Sequence, residues 1–222
     1  MKKLKASELV EDFDLYPRGD VSDQHVHTLA IALEAGTELP PIIIETKTHR
    51  IVDGFHRRRA HMKVHGSNVL VDVIEKSYRT PGELFLEAAQ LNSAHGMHLQ
   101  HWDYARVRIK AQGLGVDDIS VAKALHITVE RLEKITATRI GKISPRVKIP
   151  LKRPMRHLAG KTLSEEQVEA QKKLSGQDQV FMIRQVIALL ENNGAALDRE
   201  DHRVMAALEK LQELLEARLE KV

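Results

Sequence analysis

The stretch VDGFHRRRAH, residues 52 to 61, decides how the chain is read. It has the pattern of a strand end, a glycine turn and a helix start, with Arg57, Arg58 and Arg59 in the first turn. A helix N-terminus already carries about half a positive charge, so acids rather than three cations are favoured there. Free backbone N–H groups at such a junction bind phosphate readily, and guanidinium groups add planar, bidentate donors. The residues therefore point to a phosphate group, from a nucleotide or a nucleic-acid backbone. The alternative is a basic face paired with nearby acids.

Working outward, Val26, Leu29, Ala30 and Leu33 repeat at helical spacing. Ser22 is placed to cap that helix over 23–35 and Gly36 to close it. Ile42 to Ile44 after two prolines, the short run RIV and VLVDVIE over 69–75 read as strands. The first ~80 residues are thus mixed α and β. After Pro81 the pattern is helical, with helices expected over 83–91 and 102–112. DDISVAKALHITVERLEKI, from Asp117 to Ile135, has two candidate caps, Asp117 and Thr128, and a tight turn at His126-Ile127. Ala122 is small where the helices must approach, so this segment reads as a helix-turn-helix. The recognition helix would present Thr128, Val129, Glu130, Arg131 and Lys134. Ser120 and Lys123 would stand near a passing backbone.

Charge is distributed unevenly. The net charge is only +3, yet Arg139 to Lys161 holds eight Lys or Arg and no acid, and the residues beyond Thr162 hold twelve acids against eight bases. The basic belt suggests a polyanion partner, with Arg139 and Lys142 nearest the recognition helix. Its prolines at 145, 150 and 154 exclude one continuous helix, so the belt is expected to be a linker or arm. Ser164 and Gln167 form a capping box for the next helix, expected to close near Gly176, and helices are expected over 178–191 and from Asp198. In the last, Val204, Leu208, Leu211, Leu215 and Val222 make a stripe that fits either a small bundle of its own or a dimer seam.

The chain has 222 residues, 42% hydrophobic and 29% charged, with no cysteine. Cysteine nucleophiles, disulfides and thiolate metal sites are therefore excluded. No apolar run approaches the ~18 residues of a membrane span, and the N-terminus has no signal-peptide pattern, so the expected location is the cytoplasm. His95, His98 and His101 are spaced by three, but Gly96 would break a helix aligning them and no metal site is expected. Gly160-Lys161-Thr162 imitates the end of a phosphate-binding loop, with Met155 where its first glycine belongs.

Gly54-Phe55-His56-Arg57-x-x-Ala60, preceded by RIVD, resembles the second conserved box of ParB-type partition proteins and their ParB/sulfiredoxin-fold relatives. Tyr16-Pro17-Arg18, Gly36, the Pro-Ile-Ile-Ile strand, Asn92 and the downstream helix-turn-helix follow in the order of that family, over about residues 1 to 137. The resemblance implies an α+β fold: a ParB-like N-terminal domain over 1–98, a helix-turn-helix domain over 99–143, the basic linker or arm over 144–162 and a helical region over 163–222. It implies binding to double-stranded DNA, in partition or transcriptional regulation, with a CTP switch. A homodimer and a partition ATPase are the expected partners. Gly36, Gly54, His56, Arg57, Arg58, Arg59 and Asn92 would hold CTP with Mg²⁺.

Three positions depart from the family: Leu91 replaces an acid before Asn92, Phe55 replaces a common Glu, and Pro40 stands near the place of a common Gln. Hydrolysis of CTP stays open. Two alternatives stand beside the switch, a DNA-binding regulator without nucleotide and a small-molecule phosphotransferase of the same fold. The second would draw its carboxylate from Glu34, Glu38 or Asp53.

Overall fold

The computed structural model describes residues 2–94, 99–174 and 177–219. It is α+β, as expected. Strand β1 (Lys2–Lys5) leads through a 3-10 turn to helix α1 (Asp23–Glu34), strands β2 (Ile42–Glu45) and β3 (Ile51–Asp53), helix α2 (Phe55–His65) and strand β4 (Leu70–Lys76). The strands form one sheet in the order β1-β4-β2-β3, with β2 and β4 parallel and the outer pairs antiparallel. Strand β1 was not legible in the charged KKLK segment; its backbone is paired from Lys2 to Lys5 with Val73 to Leu70.

Side chains of a strand alternate between faces, and at β2 and β3 both faces are covered, which explains why these two strands read as continuous apolar runs. Ile42, Ile44 and Ile51 join Val26 and Ala30 of α1 and Phe55 and Ala60 of α2 in one core. Val52 turns the other way, with Ile43 packed beside it, into a second core. That core is built with helix α3 (Pro81–Ala94), helix α4 (His101–Gly113), helix α5 (Asp118–Ala124) and helix α6 (Val129–Ala137).

The helix caps behave as expected. Ser22 Oγ accepts from His25 N–H at 3.3 Å, Asp117 from Ser120 N–H at 2.8 Å and Thr128 Oγ1 from Arg131 N–H at 3.2 Å. His126 turns the chain with φ 56°, a conformation in which glycine would be easier, and Ile127 N–H reaches back to Ala122 O at 3.0 Å.

The basic belt is folded where a linker or arm was expected. Strands β5 (Ile140–Lys142) and β6 (Lys148–Pro150) pair antiparallel, and a 3-10 helix follows over Arg153–Leu158. Leu151, Met155, Leu158 and Leu163 bury themselves in a third core. The prolines forbid helix but not this arrangement: Pro150 ends a strand and Pro154 opens the 3-10 turn, where a missing N–H costs nothing. Helix α7 (Glu165–Lys173) starts at the expected Ser164/Gln167 box.

Two compact units result, one over Met1–Leu174 and one over Ser175–Val222. The second contains helix α8 (Gln179–Gly194) and helix α9 (His202–Leu219), the latter starting four residues after Asp198. Asp198 accepts the Glu200 and Asp201 N–H groups in the preceding turn, and Asp201 accepts the Arg203 N–H in the first turn of α9. Val204, Leu208 and Leu211 of α9 face Val186 and Leu190 of α8 across an apolar groove, while Leu214 and Leu215 are exposed. Val222, Gly176, His95 and His98 lie outside the described residues.

Candidate functional site

Three groups of residues converge at the β3–α2 junction. Gly54 makes the turn with φ 119°, and a Cβ there would press on Ile42 at 3.1 Å, so glycine is required by both conformation and space. Helix α2 has no side-chain cap. His56 Nε2 accepts from Ser22 N–H at 3.1 Å, which sets Nδ1 as the protonated nitrogen. The His56 ring meets His25 edge-on, with centroids 4.8 Å apart. Burial, then the charges of His25, Arg18 and Arg59, push the imidazole down to about 4, so it is neutral at pH 7. The N-termini of α1 and α2 are thereby joined through an uncharged histidine.

Phe55 is buried and stacks on Tyr16 with ring centroids 4.2 Å apart. The aromatic pair gives a physical reason for Phe55 where the resemblance leads one to expect glutamate. Tyr16 belongs to the Tyr16-Pro17-Arg18 landmark. Its neighbour Arg18 donates from Nη2 to Asn92 O at 3.0 Å, and the Asn92 side chain donates to Ala88 O at 2.8 Å. Arg18 thus ties Asn92 to the neighbourhood of His56. Gly36 ends α1 with φ 83°. Leu91 packs half-buried against the second core and supplies no charge.

The three arginines all have protein partners. Arg57 pairs with Asp53 at 2.5 Å and donates to the carbonyls of Pro40 and Pro41 at 3.0 and 2.6 Å. Arg58 donates to Ala6 O at 2.8 Å and to Glu11 at 2.9 Å. Arg59 holds Glu11 through Nε at 3.1 Å and Nη2 at 2.7 Å. Burial raises the Glu11 carboxyl, but its hydrogen bonds and charge attraction to Arg59 and Arg58 outweigh it, leaving the group below the usual range. A carboxylate thus occupies two of the arginines in which sequence reasoning saw phosphate ligands, as the alternative of a basic face paired with acids anticipated. Asp53, a candidate carboxylate for phosphotransfer, is committed to Arg57; Glu34 and Glu38 are exposed. Among the described residues, no group of three His, Asp or Glu is placed to hold a metal ion.

The helix-turn-helix forms a second candidate surface. Thr128, Glu130, Arg131 and Lys134 are exposed on α6, and Lys123 on α5. Ser120 is half-buried and bonded to Asp117, while Val129 packs into the core, so neither is as open as its sequence position suggested. Lys142 is half-buried in β5, and Arg139 is buried with 7% of its surface exposed.

Sequence reasoning missed what positions α6. Arg108 of α4 binds Asp118 of α5 through Nε at 3.1 Å and Nη2 at 2.6 Å, and its Nη1 donates to Thr136 Oγ1 of α6 at 2.6 Å. Thr136 in turn donates to Leu132 O at 2.8 Å. One guanidinium therefore joins three helices. Only an arginine and an acid on neighbouring amphipathic helices would have hinted at it.

No protein-family model matches the chain. It is 35% identical over 82 residues to the transcriptional regulator NovG of Streptomyces niveus, and 34% identical over 84 residues to a "Streptomycin biosynthesis operon possible regulatory protein" of Streptomyces griseus. Each match takes in 37% of this chain, against 24% and 22% of the relatives. The matched stretch is thus about a quarter of either relative's length. Among solved structures the chain is similar to the C-terminally truncated chromosome-partitioning protein ParB of Caulobacter crescentus complexed to the centromeric parS site. The TM-score is 0.46 at 13% identity, covering 62% of this chain and 71% of that one. The landmarks whose order resembles ParB-type proteins, from Tyr16-Pro17-Arg18 through the Gly54 turn to the helix-turn-helix, lie together in one α+β unit.

Proposed function

We propose that this chain is a DNA-binding regulator that reads a duplex site with α6. The observation that carries the reading is the helix-turn-helix itself. Asp117 and Thr128 cap its two helices, Leu132 and Ile135 bury one face of α6, and Arg131 and Lys134 stand exposed on the other. In the major groove, Arg131 can donate a bidentate pair to guanine, whereas Lys134 positions a phosphate. Regulation is favoured over partition because both curated relatives carry regulator names. The protein acts as a homodimer in the cytoplasm, with the exposed Phe181, Ile183, Ile187 and Leu215 of the C-terminal helices supplying apolar surface for association.

The test is selection of genomic DNA fragments by the purified protein, followed by sequencing. A recurrent motif is expected. Arg131→Ala should relax the motif at one base pair, and Lys134→Ala should weaken all fragments alike. Absence of any enriched motif with folded protein would refute the reading.

A nucleotide switch at the β3–α2 junction is the second reading. It is supported by the convergence of two helix N-termini on a neutral His56 beside Arg57. CTP would have to displace Glu11 from Arg58 and Arg59, and the residues present offer no metal cluster for Mg²⁺ among those described. Calorimetric titration with CTP, ATP and GTP distinguishes the readings: selective CTP binding lost in Arg57→Ala supports the switch, and no binding leaves the plain regulator.

A further inference from the structure

The basic belt leaves the end of α6 as a hairpin. Only Thr138 and Arg139 separate α6 from β5, and the chain turns back through residues 143–147 into β6. Its loop is closed by the backbone: Ile143 N–H donates to Val147 O at 2.8 Å, and Val147 N–H donates to Ser144 O at 3.2 Å. The base is fixed on two sides. On one, Lys142 N–H donates to Lys161 O at 3.0 Å and Leu163 N–H donates to Lys142 O at 2.8 Å. A Cβ on Gly141 would stand 2.7 Å from Leu163, so β5 lies directly on the third core. On the other side, Lys148 Nζ donates to Gln112 Oε1 of α4 at 3.3 Å. The hairpin is thus a rigid element held to α4, the helix whose Arg108 also ties down α6. Its tip is bare. Ile143 and Val147 are 45% and 49% exposed, and Pro145 and Arg146 between them are exposed as well. Among the described residues, Arg146 makes no hydrogen bond or ion pair. No acid occurs from Arg139 to Lys161 to compete for its charge.

We propose that the β5–β6 hairpin is a wing that places Arg146 in the minor groove flanking the base pairs under α6, with Ile143 and Val147 against the sugar walls. A cation between two aliphatic side chains on a narrow tip matches that groove, which combines negative potential with apolar deoxyribose walls. The reach agrees. At ~3.3 Å per residue the strand from Ile140 to Pro145 extends roughly 16 Å, about half of the ~34 Å helical repeat, which is the step from a major groove to the neighbouring minor groove. The wing rests on the regulator reading and adds a second kind of recognition to it. Arg131 and Lys134 of α6 meet the major groove, whereas Arg146 responds to groove width, which is smallest in A·T-rich sequence. It also gives the folded belt a purpose, because a mobile arm would have to be ordered at the cost of conformational entropy before its arginine could enter the groove.

The experiment uses the full chain with Arg146→Ala and Arg146→Lys. Arg146 is exposed and unbonded, so both variants should unfold at the wild-type temperature. On genomic fragments selected by wild type, Arg146→Ala should bind about five- to tenfold more weakly, with the slope of log K against log salt shallower by about one. Its own selected motif should keep the base pairs under α6 and lose an A·T-rich flank half a turn away. Arg146→Lys should regain the slope but not the flank, because a compact, strongly hydrated ammonium enters a narrow groove less readily than a guanidinium. Hydroxyl-radical cleavage, which attacks deoxyribose through the minor groove, should show that flank protected by wild type and open with Arg146→Ala. If a motif is enriched but Arg146→Ala matches wild type in affinity, flank and footprint, the wing is overturned and the regulator reading stands. If Arg146→Lys equals wild type throughout and the motif has no A·T-rich flank, Arg146 is a backbone contact and the minor-groove assignment is overturned. If wild type enriches no motif, the regulator reading fails and the wing fails with it.

Discussion

Glu11→Gln tests whether the arginine turn is held by an internal carboxylate. Glu11 Oε1 accepts from Arg58 Nη1 at 2.9 Å and Arg59 Nε at 3.1 Å, and Oε2 accepts from Arg59 Nη2 at 2.7 Å. Glutamine keeps the shape, loses the charge and replaces one accepting oxygen with an NH₂ group that cannot accept. Hydrogen bonds to charged groups contribute about 1.5–3 kcal/mol each, and leaving a buried charge unmatched costs more. The Arg59 side chain is 34% exposed, so its share is discounted for solvent screening. The expected loss is about 2–3 kcal/mol. With a urea slope of roughly 2 kcal/mol/M for a unit of this size, the unfolding midpoint should fall by about 1–1.5 M, read by circular dichroism.

The pH dependence has a definite sign. Glu11 is depressed in the folded state, so its contribution is fully present above the unfolded glutamate value of about 4.3 and is lost as pH falls through the lower folded value. Wild type and Glu11→Gln should therefore differ fully at pH 6 and converge in acid. A midpoint change below about 0.3 M at pH 6 would refute the clamp. If the arginines also accept phosphate, added CTP should stabilise Glu11→Gln more than wild type, because the competing carboxylate has gone.

Other consequences follow from single positions. Gly19→Ala would place a Cβ 1.6 Å from the Trp102 ring, so the ring must move; overpacking of this kind costs about 1–3 kcal/mol, measurable by urea unfolding. His126→Gly should raise stability by about 0.5–1 kcal/mol in the same assay, since an exposed residue at φ 56° gains from losing its Cβ. Arg108→Met should destabilise by about 2–3 kcal/mol, and it should weaken DNA binding although Arg108 lies on α4 rather than on the reading helix. Unchanged DNA affinity in a folded Arg108→Met protein would show that the three-helix tie does not position α6.

Much of the local structure was legible because its causes are short-range. Ser22, Asp117, Thr128 and the Ser164/Gln167 box mark helix starts through contacts three residues away, and apolar spacing reported which face of α6 is buried. The glycine turn at residue 54 was readable for the same reason. Strand β1 was not, because KKLK is charged and becomes a strand by pairing with β4. The basic belt looked like an arm because prolines and charge report on helix propensity and solvation, and not on the small apolar core that Leu151 and Leu163 complete.

The sequence by itself determined that the chain would place basic residues at a glycine turn, build a capped helix-turn-helix and carry a basic belt beside it. Only the tertiary structure decided which of those charges are already matched. Glu11 reaches Arg58 and Arg59 across 47 and 48 residues, and Arg108 reaches Thr136 across 28, while Arg139 is buried beside other cations. The physical reason is that a cap or a periodic face is set by neighbours along the chain. The partner of a charge is set by which segments the packed core brings within a few ångströms.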